Sequence, residues 1–514
     1  MPADGGPALL DVTRTRQGLD TEPAPGLGSW LTSKPRTASL GVAGVVLALV
    51  AGVLGATNLK MGVAVVAGVG LVLAVLLRPF VGALILAGLV PIVSGFTPGL
   101  PIPYLRLSEA LIGVVGLTLV ASARRQDAVP WGVLDWLLLG YGLAWAFFGT
   151  FDALRLHEHM TLSDWGTVIG QLQFFLVYRG VRLGLRNEAE RRIALRVVLA
   201  ASVPVAALAI LQQLHAPGIT SMLNTVTGTT ATATATSTVS LLRAGSLFVN
   251  WASLAGYLFP LLLVMGALWL GGVTTGRRWW TLVVVGLAAI GLALTAELSA
   301  ISCLIVCTLF LGGLYGQGRR ILRIVGIGLL VGAVVVGPFL ATRLNNELSR
   351  SAGSSRSAGV PQTLQYRMHV WTGQYFPAID AAPLTGYGVI LPSSVSWPYP
   401  ESQYVACLID GGVPLLLAFG ALMWGMVDQT RRWSRSADPF DAALGKALFL
   451  TVAALIAMDL IWPYLTNAGL PQVLWALFAI AAPRRRVGEL ADLGVAPAPP
   501  PAPPPVPRPR AALG

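Results

Sequence analysis

The sequence predicts an all-α polytopic membrane protein of about 14 transmembrane helices (12 to 14) with one large extracytoplasmic loop. Three observations carry that prediction. Hydrophobic residues make up 55% of the 514 and charged residues only 11%, where soluble domains hold about 25% charged. Mean hydropathy is +0.70. Apolar runs near the length needed to cross a bilayer follow one another through the chain, and a single long polar stretch, residues 343–402, interrupts them.

In chain order, residues 1–37 are polar, hold Arg14, Arg16, Lys34 and Arg36, and precede an apolar run without a small-residue cleavage site. They read as a disordered cytoplasmic segment before a retained first helix. Spans follow near 38–57, 61–77, 79–95, 105–123, 131–151, 165–181, 194–214, 245–272, 279–296, 298–315, 321–342, 403–427, 443–463 and 470–483. Residues 38–485 thus form the transmembrane helical domain. Residues 486–514 are a Pro-rich tail, including VAPAPPPAPPPVPRPR, extended enough to dock a cytoplasmic partner domain.

Orientation comes from the basic residues. With the N-terminus inside, Arg124-Arg125, Arg277-Arg278, Arg319-Arg320, Arg431-Arg432 and Arg484 to Arg486 all fall on the cytoplasmic side, as membrane proteins prefer. That bias accounts for most of the +12 net charge, so no nucleic-acid partner is implied. Both termini are then cytoplasmic. The outer face receives the Asp152 to Asp164 loop, the His215 to Ala244 loop with its Thr-Ala-rich run, the turn at Glu297, and the stretch from Arg343. Cys303, Cys307 and Cys407 lie inside apolar segments, which supports neither a disulfide framework nor a zinc site.

The sparse charged residues are the candidates for chemistry. Arg243, Arg343, Arg350, Arg356 and Arg367 run against the inside bias, and planar guanidinium groups hold phosphate oxygens in bidentate fashion. They point to an anionic ligand at the outer surface, with lipid headgroups or loop acids as the plainer partners. Glu401 follows two prolines at a membrane lip and suits the role of a base taking a proton from a hydroxyl. His369 competes for that role. Asp410 sits on the helix after Glu401, beside Gly411-Gly412, where it either faces the site or serves as a structural cap. Arg106 and Glu109, three apart on one helical face, read as a structural ion pair.

Several stretches together resemble the O-antigen ligase and O-antigen polymerase superfamily. They are Arg243-Ala-Gly-Ser-Leu-Phe-Val-Asn250 with Ala252-Ser-Leu-Ala-Gly-Tyr257, then Gln365-Tyr-Arg367 with Trp371, then Pro383-Leu-Thr-Gly386-Tyr-Gly388, and finally Glu401-Ser-x-Tyr404 with Asp410-x-Gly412. The likeness covers roughly residues 100–485 and departs twice from the family pattern. Glu401 stands where the ligases commonly place His, and Thr295-Ala-Glu297-Leu298 lacks the arginine of the family's outer turn, so that Arg243 or Arg343 would supply its charge.

The resemblance implies glycan transfer from a polyprenyl (pyro)phosphate carrier to an acceptor sugar hydroxyl, in surface polysaccharide biosynthesis at the outer face of a bacterial cytoplasmic membrane. It implies no cofactor. Metal use is not expected, because no D-x-D pair of carboxylates occurs on the outer face. On this reading Glu401 and His369 are the catalytic candidates, and Arg243, Arg343, Arg367, Tyr404 and Asp410 the substrate-binding ones. The partners are the lipid-linked donor, a glycan or lipid acceptor and the bilayer. A lipid-linked glycan flippase and a solute permease are the rival readings; the first wants basic residues deep in several spans, the second broken helices in matching halves.

Overall fold

The structure, a computed structural model, describes residues 59–99, 105–122, 129–157, 159–228, 243–273, 278–335, 337, 341, 362–390, 397 and 399–483. The chain forms two units, Met1–Val69 and Gly70–Gly514, and of the first only residues 59–69, all helical, are described. The expected N-terminal segment, the span at 38–57, Arg343, most of the Thr-rich run and the Pro-rich tail lie outside the described residues.

Among the described residues the regular elements are all helical. In order they are α1 (Leu59–Leu77), α2 (Pro79–Val93), α3 (Leu107–Ser122), α4 (Val133–Arg155), α5 (Leu162–Ile169), α6 (Leu172–Gly184), α7 (Glu188–Gln213), α8 (Ile219–Thr227), α9 (Trp251–Leu270), α10 (Arg278–Leu294), α11 (Leu298–Leu314) and α12 (Gly318–Val335). Then come α13 (Gln362–Val370), a π turn (Trp371–Tyr375), α14 (Phe376–Ala381), α15 (Gln403–Trp433), α16 (Pro439–Met458) and α17 (Leu470–Ala481). Each stretch expected to span from 61–77 onward coincides with helix, but 165–181 is broken at Gly170-Gln171 into α5 and α6.

Among the described residues five helices are long and apolar enough to cross a bilayer, namely α4, α7, α9, α15 and α16, and a sixth if residues 62–77 and 79–93 count as one bent span. The apolar helices α3, α10, α11 and α17 are shorter. This is a multi-pass helical membrane protein; a count of fourteen stays an expectation.

Burial places α9 and α17 at the centre, since every residue of α17 and nearly every residue of α9 is enclosed. α9 packs on α10, α11 and α16, α17 on α6, and α15 on both α4 and α16. Large apolar side chains on the outer helices stay uncovered, Trp424 at 75% and Leu154 at 71% exposure, which water would penalise and lipid tails accept.

Buried charges hold the helix ends. The Asp135 carboxylate accepts from Arg182 Nη1 at 2.6 Å and Arg179 Nη1 at 3.4 Å, and from the Gly132 backbone N–H at 2.7 Å. Arg191 donates to the last carbonyls of α17, Ile480 O at 2.7 Å and Ala481 O at 3.1 Å, and to Asp441 at 2.6 Å. A helix C-terminus has carbonyls without internal partners, and a guanidinium satisfies them. Arg106 and Glu109 correct an expectation: the Glu109 carboxylate accepts from the Arg106 backbone N–H at 3.0 Å, so it caps α3 rather than pairing with the guanidinium.

α4 carries Asp135 at one end and Arg155 at the other, about 30 Å apart by helical rise. The Arg155 end is where the candidate residues gather.

Candidate functional site

Arg367 lies in the last turn of α13, and its Nε–H donates to Glu401 Oε2 at 2.6 Å. The two side chains are 17% and 24% exposed, so the pair is largely shielded from water, which strengthens it. Glu401 Oε1 makes no hydrogen bond among the described residues. Two neighbours fix the backbone there. Trp371, opening the π turn, donates its indole N–H to Pro400 O at 2.9 Å. On the other side, Gln403 N–H donates to Asp459 O at 2.8 Å, and the hydroxyl of Ser402, the N-cap of α15, donates to the same carbonyl at 3.3 Å. Between these anchors Glu401 is held at φ +49°, a left-handed conformation that costs a residue with a Cβ about 1–3 kcal/mol. The surrounding contacts sustain that strain and aim the carboxylate at Arg367.

Ten residues beyond Glu401, α15 breaks at Gly411-Gly412, and the Pro383–Gly388 loop is spliced into the break. In an unbroken helix Val413 N–H would donate to Ile409 O. Here Tyr387 N–H donates to Ile409 O at 2.7 Å, and Val413 N–H donates to Pro383 O at 2.8 Å. The loop backbone thus takes the two groups the break frees, groups that would be costly to bury unpaired. Contact is close enough that a Cβ on Gly386 would lie 2.3 Å from Ile409 O and one on Gly412 2.5 Å from Pro383 O; both glycines also have positive φ, +70° and +64°. Arg155 at the end of α4 clamps the loop, donating to Gly386 O at 2.6 Å and to the Thr385 hydroxyl, and pairs with buried Asp152 at 2.8 Å. Tyr387 then packs edge-on against Trp397 at 4.9 Å, carrying the order toward Glu401.

A second arginine–carboxylate pair stands on neighbouring elements. Arg243 lies over the Trp251 ring at 4.3 Å, donates to Ala296 O at 3.3 Å and sits 3.8 Å from Glu297 Oε2. Arg243 therefore sits against the turn at Ala296-Glu297. The Ser299 hydroxyl donates to Glu297 Oε1 at 2.9 Å and lies 3.1 Å from the Tyr464 hydroxyl.

Of the residues singled out from sequence, Arg367 and Glu401 are brought into contact and Arg243 is paired with Glu297. Asp410 is half-buried at the last helical position before the break, with no hydrogen bond or ion pair among the described residues. Tyr404 belongs to the helix packing, since its hydroxyl donates to Ile456 O at 2.8 Å and its ring lies 5.8 Å from that of Phe419. His369 is exposed and makes no hydrogen bond or ion pair among the described residues. Two positions beyond Arg367 it points from another helical face. Arg343 lies outside the described residues. Sequence reading missed Arg155, Glu297 as a partner, and the segment from Asp459 to Asn467; the acid Asp459 at the end of an apolar run was the available signal.

Residues 282–420 match the family model for O-antigen ligase. The match supports the O-antigen ligase and polymerase superfamily that the sequence motifs resemble. No curated protein matches the chain. The matched segment begins within α10 and ends within α15, so it takes in Glu297, Arg367, the spliced loop, Glu401 and Asp410. Arg155, Arg243 and the 459–467 segment come from outside it. The chemistry of the first pair is that of a charge-compensated site, a guanidinium able to receive an anion already facing a carboxylate with one oxygen unbonded among the described residues, and Arg243 with Glu297 forms a second pair of the same kind.

Burial pushes the Tyr375 hydroxyl up to about 12 and raises that of Tyr399. These phenols stay protonated at neutral pH and are poor bases, which leaves the carboxylate and the imidazole.

Proposed function

We propose that this protein is a membrane glycosyltransferase that moves a glycan from a polyprenyl (pyro)phosphate carrier onto an acceptor sugar hydroxyl at the extracytoplasmic face, as a surface polysaccharide polymerase or ligase. The observation that carries the reading is the Arg367–Glu401 contact at 2.6 Å inside the O-antigen ligase match. The leaving group accumulates negative charge, which a preorganised guanidinium stabilises. The acceptor hydroxyl needs a base at the same place.

In the proposed step the acceptor oxygen attacks the anomeric carbon as its proton passes to Glu401 Oε1. The bond from that carbon to the carrier phosphate oxygen breaks, and the electron pair leaves on the (pyro)phosphate beside Arg367 and Arg243. Direct attack inverts the anomeric centre. Arginine supplies the positive charge, so the reading calls for no metal.

The broken α15 favours a solute permease, whose substrate sites use interrupted helices. Its freed backbone groups are taken by the Pro383–Gly388 loop rather than turned to a cavity, which weakens that reading.

A deletion strain tests the proposal. Single lipid-linked repeat units are expected to accumulate if the protein polymerises, and full-length lipid-linked polymer if it ligates. Purified protein is expected to transfer glycan equally well with and without EDTA. Glycan trapped on the cytoplasmic side of the membrane would instead identify a flippase.

A further inference from the structure

The two arginine–carboxylate pairs come from distant parts of the chain, yet one short segment touches the surroundings of both. It begins at Asp459, 0% exposed, whose main-chain carbonyl receives the first N–H of α15 and the Ser402 hydroxyl, the residue next to Glu401. Asp459 Oδ1 accepts from Tyr464 N–H at 3.0 Å and so folds the segment back on itself. Tyr464, also fully enclosed, sends its hydroxyl to Ser299. At the far end Asn467 Oδ1 accepts from Asn250 Nδ2 at 3.4 Å, and Asn250 is the N-cap of α9, next to the Trp251 ring under Arg243.

Proton bookkeeping gives the chain a direction. A serine hydroxyl has one proton, and that of Ser299 goes to Glu297 Oε1. The Tyr464 hydroxyl must then be the donor to Ser299 Oγ, and burial, which raises its pKa well above that of a free phenol, keeps the proton on it. The order Tyr464 to Ser299 to Glu297 leads to Arg243, and Asp459 ties the start of that order to the peptide beside Glu401. A phenyl ring would fill the same space. The hydroxyl is therefore explained by the contact it makes rather than by packing.

We infer that the Asp459–Asn467 segment is a positioning element that holds the Arg243–Glu297 pair in register with the Arg367–Glu401 pair, and that the Tyr464 hydroxyl is the residue group through which it acts. This rests on the glycosyltransferase reading for its catalytic consequence. Tyr464 touches neither reacting group and is a positioning residue.

The test uses the full-length protein in lipid nanodiscs and the variants Tyr464→Phe, Ser299→Ala and their combination. Each single change is expected to lower kcat by about 10-fold, the size of one lost hydrogen bond carried into the barrier. The double variant is expected to lose no more than the worse single one, because both remove the same contact. KM for the lipid-linked donor should move less than kcat, and thermal unfolding should stay with the wild type.

A second readout needs no turnover: phenylglyoxal labelling of Arg243, followed by mass spectrometry, should quicken several-fold in Tyr464→Phe while labelling of Arg367 stays constant. Unchanged Arg243 labelling, or single losses in kcat that multiply in the double variant, would overturn the inference. Wild-type protein that transfers no glycan but shows the labelling response would sink the glycosyltransferase reading and leave the positioning role standing.

Discussion

Glu401→Gln is expected to abolish transfer, lowering kcat by about 10²- to 10⁴-fold, the usual contribution of a positioned general base. That loss is equivalent to about 3–5 kcal/mol in the barrier. The substitution keeps the shape of the side chain and leaves an amide oxygen to accept from Arg367 Nε–H, so folding should be preserved. Donor affinity should hold or improve. On the proposed mechanism the wild-type carboxylate competes with the incoming (pyro)phosphate for the Arg367 guanidinium, and the neutral amide would compete less. A single-turnover measurement with lipid-linked donor, alongside donor binding to the same variant, separates the two effects. Retained turnover within a few-fold of wild type would remove Glu401 from the mechanism, and a parallel collapse in His369→Ala would move the role to the imidazole. The structure argues against that second outcome, since His369 is exposed and detached from the arginine two residues before it.

On the proposed mechanism, the resting pair also changes how the base is used. Seen in sequence, Glu401 is a lone carboxylate at a membrane lip and Arg367 a phosphate binder 34 positions away. In the structure each neutralises the other, so a ligand anion that engages Arg367 would loosen its hold on the carboxylate at the moment the acceptor must be deprotonated. Arg243 and Glu297 repeat the arrangement at 3.8 Å. Composition could not have revealed either pairing, because it depends on which helix ends meet.

What was legible in the sequence follows the same division. Helix positions could be read because an apolar run leaves a backbone no cheaper way to satisfy its hydrogen bonds in lipid, and α9 and α15 stand where those runs predicted. The Pro383–Gly388 motif was legible as a motif. Its reason was not, because Gly386 and Gly412 answer to a backbone contact between residues more than twenty positions apart. Asp135 lies inside an apolar run; its two arginine partners, Arg179 and Arg182, lie on α6, out of reach of any local pattern. The segment from Asp459 to Asn467 carried little signal, being a short, largely apolar connection between two apolar helices whose value comes from its contacts with Ser402, Ser299 and Asn250.

The second large effect is expected at the spliced break. Gly412→Ala places a Cβ 2.5 Å from Pro383 O on a residue at φ +64°, so the left-handed conformation becomes costly and the loop must withdraw. Withdrawal forfeits the Val413 N–H to Pro383 O and Tyr387 N–H to Ile409 O bonds together, leaving backbone groups unpaired inside the bundle. Strain, overpacking and lost bonds each cost about 1–3 kcal/mol, and the combined loss should exceed about 3 kcal/mol. Gly420→Ala is the matched control on the same helix. A Cβ there meets nothing within 4 Å, and the change should be neutral or stabilising by up to about 1 kcal/mol. Thermal unfolding of detergent-solubilised protein, read by size-exclusion chromatography, should show a clear drop for the first variant and none for the second. Equal stability of the two would mean that the loop is not spliced into α15. Because Arg155 grips the same loop from α4, Arg155→Ala should weaken it from the other side, and its effect should shrink when Gly412→Ala has already displaced the loop.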